Sequence, residues 1–345
     1  MKLTVIIPVH NVEQYLERCL RSVLSQTLQD MEVICIDDAS GDNSPIILEK
    51  FRKIDPRIKV IRVKKTGQGD IRNMGIDMAR GMFTGFVDAD DHIHPRMFEK
   101  LYSAAMRHNS HIAFCHTCCF RRGKQVPYAY FDREQEALTR HHNTGEPITA
   151  SAISTYLPYI TTVCWNKIYR TSFLRAHHIR FASGVLHEDV PFFFKAILNA
   201  RSIVPVREGL YFYSAAREGS STHQRMHQDD TLPRILDQTR KELATQLKDP
   251  AINRQFNLFV TWQLLSYIHG VMHQKRISRQ KKRQLFHTTR DHFLRMTPIP
   301  TELLSFDERW QVKIIRRGKV KWLRARTLID SLKYQCRKML TPKDP

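Results

Sequence analysis

Residues 3–9 read Leu-Thr-Val-Ile-Ile-Pro-Val, and this stretch decides the fold class. An apolar, β-branched run that a proline closes is typical of a strand buried on both faces. Further runs of this kind begin at residues 32, 59 and 83, so the strand starts lie 29, 27 and 24 residues apart. Apolar residues at helical spacing, such as Leu16, Leu20 and Val23, occupy the intervals. This spacing fits βαβ units and predicts an α/β fold, a doubly wound sheet with mostly parallel strands.

Ligands of such sheets bind beyond the carboxyl ends of the strands. The residues predicted at these ends are Pro8-Val9-His10-Asn11, Asp37-Asp38, the loop 64–69 and Asp88-Ala89-Asp90-Asp91. Several carboxylates therefore converge on one crevice, where they repel one another unless a cation or a substrate donor is present. Asp88 and Asp90, two residues apart at a strand end, project the same way and predict a shared divalent ion. Turn bonds for Asp38 and helix capping for Asp91 are the competing interpretations.

Two common phosphate-binding motifs are missing from the first strands. No Gly-x-Gly-x-x-Gly follows the first strand, where Pro8 to Asn11 stand instead. Gly67-x-Gly69 follows the third strand and is a weak signal by itself, and no P-loop motif occurs. The pattern therefore disfavours a Rossmann dinucleotide site.

The charge is concentrated in one part of the chain. The 345 residues hold 55 Lys+Arg against 34 Asp+Glu, a formal charge of +21, and 42% are apolar, enough for a folded core. Residues 1–100 hold 15 basic and 15 acidic side chains, whereas residues 273–345 hold 20 and 6. This asymmetry predicts that the N-terminal part of the chain carries the catalytic chemistry and that the C-terminal part binds an anionic partner.

The cysteines and the apolar runs of the sequence indicate the cell compartment in which we expect the protein. Seven cysteines form no recognisable disulfide framework. Cys115-x-x-Cys118-Cys119 invites a zinc interpretation, but no second pair follows at finger spacing and 112–120 is typical of a buried strand. The run at 3–9 is too short for a signal peptide, and 258–272 is too short and polar for a membrane span. We expect a cytoplasmic protein that can lie on a membrane without crossing it.

At these residues the sequence resembles a known family. The match comprises Val5-Ile-Ile-Pro-Val-His-Asn11, Tyr15-Leu-x-x-Cys-Leu-x-Ser-Val-Leu-x-Gln-Thr27, Asp37-Asp-Ala-Ser-x-Asp-Asn-Ser44, Gly67-Gln-Gly69, Arg72-Asn-x-Gly75 and Phe86-Val-Asp-Ala-Asp-Asp91. These spaced motifs resemble glycosyltransferase family 2, the inverting nucleotide-sugar transferases with a GT-A fold.

A second block is similar to bacterial lipopolysaccharide and capsule transferases. It consists of Val163-Cys-Trp-Asn-Lys-Ile-Tyr169, His187-Glu-Asp-Val-Pro-Phe192, Tyr211-Phe-Tyr213 and Arg217-x-Gly-Ser-Ser-Thr222. The resemblance implies a catalytic domain over 1–225, with a nucleotide-sugar half at 1–115 and an acceptor half at 116–225. Residues 226–345 are expected to form a basic, helical C-terminal region.

The resemblance also implies roles for individual residues. Pro8, Val9, His10 and Asn11 would line the uracil and ribose pocket, and Asp38 would accept the hydrogen bond of the uracil N–H. Gly67, Arg72 and Asn73 would lie near the ribose and phosphates. Asp88 and the neighbouring Ala89 would reach the ribose, and Asp90, with Asp88, would hold Mn²⁺ or Mg²⁺ on the diphosphate. Trp165 and Lys167 would line the acceptor site, although packing is an equal explanation for Trp165.

The chemistry needs one more carboxylate, because an acceptor hydroxyl attacks well only when a base takes its proton. Glu188-Asp189 is the only adjacent acidic pair between Asp91 and Asp229. The resemblance implies Asp189 as the general base, with Glu188 beside it. Capping of the helix predicted at 190–198 is the alternative interpretation.

The expected function follows from these assignments. We expect a metal-dependent transferase that moves a hexose or N-acetylhexosamine from a UDP-sugar to a glycan or lipid-linked glycan of a bacterial surface polysaccharide. The Gln-x-x-Arg-Trp motif of processive synthases is absent, so one or few sugars should be added. The alternatives are a polyprenyl-phosphate sugar transferase and a non-catalytic glycan- or nucleotide-binding protein on this scaffold.

The last third of the chain carries two helical patterns. Apolar residues recur at helical spacing over 256–271, and again from Trp322 to Cys336 with basic residues mainly off the stripe. The cluster 273–283 is strongly basic. Basic amphipathic helices are typical of membrane-surface elements, so we expect contact with an anionic membrane on the inner face of the plasma membrane. Ordinary packing of these helices is the alternative, and no nucleic-acid module is recognisable.

Overall fold

The computed structural model describes residues 1–121, 123–141, 146–215, 230–274, 277–296 and 298–323. The chain folds into two compact units. The first comprises Met1–Glu218 with Lys241–Leu243, and the second comprises Gly219–Arg240 with Ala244–Pro345. The sequence places a boundary at residue 225, and the part of the chain near it, 216–229, lies outside the described residues.

The first unit begins with the alternation that the strand spacing predicts. The elements are β1 (Leu3–Val9), α1 (Glu13–Leu24), β2 (Met31–Asp38), α2 (Ser44–Ile54), β3 (Ile58–Val63), α3 (Gln68–Met78) and β4 (Phe83–Phe86). Every residue of β1 is buried, as expected for a strand covered on both faces. β2 and β4 both pair with β1 in parallel, and β3 pairs with β2 in parallel. The carboxyl ends of four strands therefore lie at one edge, as predicted.

A short helix–strand distance supports this arrangement. A Cβ on Gly75 of α3 would lie 2.6 Å from Cγ2 of Ile6 in β1, so a side chain there would force Ile6 or the helix to shift. The glycine therefore allows α3 to lie directly on the sheet, which brings the first turn of α3 to the carboxyl ends of the strands.

The remaining elements of the first unit widen the sheet. They are β5 (His92–Ile93), α4 (Met97–Arg107), β6 (Ile112–Arg121), β7 (Lys124–Val126), α5 (Ala129–His141), β8 (Ile148–Thr149), α6 (Ile153–Tyr156), β9 (Lys167–Arg170), α7 (Thr171–Ala176), α8 (Asp189–Asn199) and β10 (Ser202–Ser214). The strand order is β3-β2-β1-β4-β9-β6-β10-β5, with β7 on β6 and β8 on β10. β9 runs antiparallel between β4 and β6, while β6 and β10 are parallel. The parallel character predicted from the first 90 residues thus holds for β1 to β4, and the whole sheet is mixed.

The second unit is helical in its described residues, as predicted. After α9 (Thr231–Glu242), which ends in the first unit, it contains α10 (Pro250–His273), α11 (Arg279–Arg295) and α12 (Phe306–Arg316). The apolar pattern over 256–271 lies in α10, where its residues are buried. The side chains of Asp249, Ser278 and Ser305 cap the starts of the three helices. Most of the second predicted stripe, from residue 324 onward, lies outside the described residues.

Candidate active site

Three aspartates cluster in the loop after β4, residues 88–91, which we call the acidic loop. Asp88, Asp90 and Asp91 each offer a carboxylate oxygen, and these oxygens lie within 4.8 Å of one another. Asp91 and Ala89 are buried, and Asp88 and Asp90 are half-buried. Burial raises the pKa of Asp91 well above its ordinary value, and the charges of Asp90 and Asp88 raise it further. Three hard oxygen donors this close together fit a divalent cation.

Within the described residues, no other group of three His, Cys, Asp or Glu side chains is placed to share a metal ion. Cys115, Cys118 and Cys119 lie along β6, and the thiols of Cys115 and Cys119 are buried. The strand interpretation of 112–120 is confirmed, and the zinc interpretation gains no support.

The alternative role for Asp91, capping of the helix near Pro95, does not occur. α4 begins at Met97, with Arg96 at the N-cap position. The carboxylate of Asp91 instead accepts hydrogen bonds from the Tyr211 hydroxyl at 2.9 Å and from the Ser214 backbone N–H at 2.7 Å. The acidic loop is therefore bonded to the end of β10.

The guanidinium of Arg72, in α3, connects the acidic loop to a second acidic segment. Its Nη2 donates to Oδ1 of Asp88 at 2.7 Å, and its Nη1 donates to Oε1 of Glu188 at 2.5 Å. Arg72 is 3% exposed, and its guanidinium lies 5.3 Å from the centre of the Phe181 ring. A single buried cation thus joins two carboxylates that are distant in the chain.

A glycine makes this contact possible. A Cβ on Gly69 would lie 2.3 Å from the carbonyl oxygen of Ala182 and 3.2 Å from Cβ of Glu188. Any side chain at residue 69 would therefore push α3, and Arg72 with it, away from the segment that carries Glu188.

The second acidic pair lies at the start of α8. Asp189 is the first residue of the helix and Glu188 occupies the N-cap position, but the Glu188 side chain makes no capping hydrogen bond and binds Arg72 instead. Burial, and next the charge of Glu188, raise the pKa of Asp189 to about 7, against the lowering effect of Arg72. A half-buried carboxyl group that titrates near neutral pH is suited to take a proton from a substrate.

Asp38 and Gly67 meet at the neighbouring strand ends. The carboxylate of Asp38 accepts the backbone N–H groups of Thr66 at 2.6 Å and Gly67 at 3.2 Å, and it lies 3.3 Å from Nζ of Lys65. Gly67 has a φ of +110°, which favours glycine, and it precedes α3. Asp38 therefore holds the loop that leads into α3, in addition to any role toward a nucleotide.

The end of β1 presents two polar residues. Pro8 and Val9 are buried in the strand. Asn11 has a φ of +50°, and its Oδ1 accepts the Gly41 N–H at 2.8 Å. No described residue hydrogen-bonds Nδ1 of the half-buried His10. The other ring nitrogen, Nε2, lies 3.3 Å from Nδ2 of Asn11, and the role of His10 toward a nucleotide stays a prediction.

Three predicted site residues make structural contacts. Both ends of the Asn73 amide bond the backbone of Phe181, at 2.9 and 3.0 Å. The Lys167 ammonium is buried and donates to the carbonyls of Thr161 and Val163 and to Oδ1 of Asn166. Trp165 is 5% exposed, with its ring stacked on that of Tyr211. Their substrate-binding roles stay predictions.

The sequence does not point to Tyr211, Ser214 or Arg18 as part of the site. Arg18 Nη2 donates to the carbonyl of Asp90 at 3.2 Å and to Oγ of Ser214 at 2.9 Å. Tyr211 belongs to one of the family-like motifs, but no signal in the sequence links it to Asp91, which lies 120 residues earlier.

Known proteins resemble this chain in sequence and fold. It is 33% identical over 218 residues to the protein EpsH of Bacillus subtilis, covering 61% of this chain and 60% of that relative. It is 30% identical over 223 residues to the poly(ribitol-phosphate) beta-N-acetylglucosaminyltransferase TarS of Staphylococcus aureus, covering 64% of this chain and 36% of TarS. The chain thus spans less than two thirds of the length of these relatives.

A solved structure extends the likeness in fold. The crystal structure of S. aureus TarS residues 1–349 with UDP-GlcNAc superposes with a TM-score of 0.74 at 23% identity, covering 94% of this chain and 90% of that one. The match confirms the expected GT-A-like α/β fold. The sequence model of glycosyl transferase family 2 matches residues 4–176, and the chain accordingly belongs to glycosyl transferase family 2.

Proposed function

We propose that this protein is an inverting, metal-dependent glycosyltransferase that moves a hexose or N-acetylhexosamine from a UDP-sugar to a hydroxyl group of a bacterial surface glycan. The observation that carries the proposal is the position of Arg72. Its guanidinium binds Asp88 of the acidic loop and Glu188 beside Asp189, so a candidate cation site and a candidate base belong to one site.

In this reaction the acceptor oxygen forms a bond to the anomeric carbon of the donor while the bond from that carbon to the diphosphate oxygen breaks. Asp189 takes the acceptor proton, because its carboxyl group titrates near pH 7. The close ion pair of Arg72 in this segment is formed by Glu188 instead. The Glu188–Arg72 pair keeps the positive charge next to Asp189, and Asp88 lies on the other nitrogen of the same guanidinium.

Asp88 and Asp90 would hold the divalent ion, Mn²⁺ or Mg²⁺. A bound divalent ion would offset the charge of the departing nucleoside diphosphate. Asp38 and His10 stand at the neighbouring strand ends, which suits recognition of the uracil and ribose. One base and one leaving-group site favour single displacement, which inverts the configuration of the anomeric carbon.

Two kinds of comparison support the donor and the acceptor. The structure of TarS holds UDP-GlcNAc, and TarS is named for transfer of N-acetylglucosamine to poly(ribitol phosphate). For this protein we propose only the corresponding chemical classes. The donor is a UDP-sugar, and the acceptor is a hydroxyl of a cell-surface polymer or of a lipid-linked glycan.

A donor screen tests the proposal. The full chain is incubated with a panel of UDP-, GDP- and TDP-sugars with Mn²⁺, with Mg²⁺ or with EDTA, and release of nucleoside diphosphate and thermal shifts are recorded. We expect one or a few UDP-sugars to stabilise the protein and to be hydrolysed slowly, with loss of both effects in EDTA. Equal behaviour with and without EDTA would contradict the metal assignment. If no sugar nucleotide shifts the melting temperature or is hydrolysed, the result would contradict the transferase and favour a non-catalytic glycan-binding protein.

We further propose peripheral attachment to the anionic inner face of the plasma membrane through the second unit. Residues 309–323 contain six basic side chains and no acidic one. All six are exposed, and so are Phe306 (79%) and Trp322 (60%). Exposed basic and aromatic residues in one segment suit a surface of anionic lipid. In the described part of the chain, no helix is long and apolar enough to cross a membrane.

A vesicle flotation assay tests this attachment. The wild type should float with phosphatidylglycerol vesicles and not with phosphatidylcholine vesicles. The triple variant Arg309→Gln, Lys313→Gln, Arg316→Gln should lose most of the flotation, since each basic residue contributes about 1 kcal/mol near an anionic surface. A control with three exposed basic residues of the first unit changed, Lys50→Gln, Lys53→Gln and Arg107→Gln, should float like the wild type. Equal flotation of both triple variants would contradict the proposed surface.

A further inference from the structure

The end of β10 is bonded to the acidic loop at more than one atom. The hydroxyl of Tyr211 accepts the backbone N–H of Asp88 at 3.1 Å and donates to Oδ2 of Asp91 at 2.9 Å. The backbone N–H of Ser214, three residues later, donates to Oδ1 of Asp91 at 2.7 Å. One strand end thus binds the first and the last residue of a four-residue loop.

From this geometry we infer that Tyr211 is a positioning residue, which sets the acidic loop for the divalent ion and the diphosphate. The inference rests on the proposed function and deepens it. Nothing in the sequence motifs assigns such a role to Tyr211.

The hydroxyl of Tyr211 is held in place by its own ring. The ring is fully buried and stacks on the indole of Trp165, with centroids 4.1 Å apart and planes 22° apart. Burial and stacking on Trp165 restrict rotation of the ring, and this fixes the position of the Tyr211 hydroxyl oxygen. Trp165, which the sequence suggests for the acceptor site, therefore supports Tyr211.

The three aspartates of the acidic loop differ in burial, and this difference indicates different roles. Asp91 is 1% exposed, and each of its carboxylate oxygens accepts a hydrogen bond from β10. Asp88 and Asp90 are half-buried and can reach a ligand at the surface. Asp91 thus links the loop to β10, while Asp88 and Asp90 would hold the cation. Partners that orient metal-binding side chains in this way typically change metal affinity or activity by about 10- to 100-fold when removed.

A second tie reaches the same loop from α1. The exposed Arg18 donates through Nη2 to the carbonyl of Asp90 and to the hydroxyl of Ser214. It binds the loop backbone and the end of β10 together, so its loss should loosen the loop in the same direction but less.

The test compares two tyrosines of one strand. Tyr211→Phe removes the hydroxyl and keeps the ring on Trp165. Tyr213→Phe removes a hydroxyl from a second ring that lies parallel to Trp165, at 5.7 Å and 6°, without touching the bonds to Asp88 and Asp91. Mn²⁺ binding to the full chain is measured by electron paramagnetic resonance with UDP present, and the Mn²⁺ dependence of UDP-sugar turnover is measured separately.

We expect Tyr211→Phe to weaken Mn²⁺ binding at least about tenfold, to raise the Mn²⁺ concentration for half-maximal turnover by a similar factor, and to recover most of kcat in excess Mn²⁺. Tyr213→Phe should match the wild type. Recovery in excess Mn²⁺ separates positioning of the loop from general damage to the fold, which added metal would not repair. Identical Mn²⁺ binding in the two variants would overturn the inference.

Arg18→Gln carries the same test if Tyr211→Phe does not fold, because the Arg18 side chain is exposed. Mn²⁺ binding about two- to fivefold weaker than in the wild type would support the inference, and wild-type binding would overturn it. The proposed function fails separately: a wild type that binds no Mn²⁺ with UDP and turns over no sugar nucleotide contradicts both, whereas an active wild type with an unchanged Tyr211→Phe contradicts only the inference.

Discussion

The acidic loop 88–91 and the pair Glu188–Asp189 are built from the same chemical group but are used differently. Both place neighbouring carboxylates where a regular element ends or begins. In the acidic loop three carboxylates crowd within 4.8 Å, and Arg72 forms its ion pair with Asp88. In the pair, Arg72 binds Glu188 and leaves Asp189 with a pKa raised to about 7. Three clustered carboxylates, of which Asp88 pairs with Arg72, suit a metal ion, whereas a single carboxyl group left beside the Glu188–Arg72 ion pair suits a base.

Arg72 links the two regions. Its guanidinium forms an ion pair with each of the two regions. Because the guanidinium is buried, its contacts are little screened by solvent, and each carboxylate would be costly to leave unpaired. The two regions are therefore expected to respond together when Arg72 is changed and separately when one carboxylate is changed.

The largest effect should come from the acidic loop. Asp90→Ala removes a half-buried carboxylate from the proposed cation site and should lower metal-dependent turnover by about 10³-fold or more, since metal ions stabilise such transition states by several kcal/mol. Turnover of the best UDP-sugar in saturating Mn²⁺ measures the loss. Asp30→Ala, at the opposite ends of the strands, is the control and should be fully active. Full activity of Asp90→Ala would remove Asp90 from the metal site.

The second effect should come from the pair. Asp189→Asn keeps the shape of the side chain but cannot take a proton, so transfer to a sugar hydroxyl should fall by about 10²- to 10⁴-fold. UDP binding, measured by calorimetry, should stay within about twofold of the wild type, which distinguishes this variant from Asp90→Ala. If transfer persists, the base is another group or the acceptor is a lipid phosphate, as in a polyprenyl-phosphate sugar transferase.

The third effect tests the link between the two regions. Arg72→Gln leaves Asp88 and Glu188 without their buried cation and should lower the free energy of unfolding by about 3–5 kcal/mol, measured by urea denaturation. Arg52→Gln is the matched control, because Arg52 pairs with one exposed carboxylate, Glu49, and its loss should have little effect on stability. A loss for Arg72→Gln no larger than for Arg52→Gln would mean that the two regions are not coupled through Arg72.

The smallest effect is a dependence on pH. With the pKa of Asp189 at about 7, the base is protonated at pH 6, and kcat/KM should rise about tenfold between pH 6 and pH 8. The same raised pKa means that folding binds a proton, so the free energy of unfolding should fall as the pH rises from about 4 to 7. Asp189→Asn should remove the rise in kcat/KM and make the fall in the free energy of unfolding smaller, because Asp91 and Glu134, whose pKa values are also raised, contribute to that fall. A flat wild-type profile over this range would contradict the assignment of Asp189.

Much of the first unit could be predicted from local patterns. β1 to β4 begin within one residue of the predicted strand starts, and α1 to α3 occupy the intervals between them, because buried strands and amphipathic helices have their own periodicities. The strand β9 could not be placed in this way. It is four residues long, and its position between β4 and β6 follows from packing rather than from spacing.

The candidate site divides along the same line. Strand-end positions predicted that Asp38, Asp88 and Asp90 share one edge of the sheet, and chemistry predicted a base from a later segment. The partners of Asn73 and Lys167 were not predictable, since these side chains bond backbone groups of segments folded beside them. Tyr211 was missed for the same reason.

By itself the sequence determined the parallel strands, the acidic residues at their ends and the family, because strand burial and side-chain alternation are properties of short segments. Only the tertiary structure decided which carboxylates share Arg72, which one titrates near pH 7 and which hydroxyl holds the acidic loop. These depend on burial and on distances of about 3 Å between residues 16 to 123 positions apart. Such distances arise only when the sheet has brought β4, β10 and the start of α8 together.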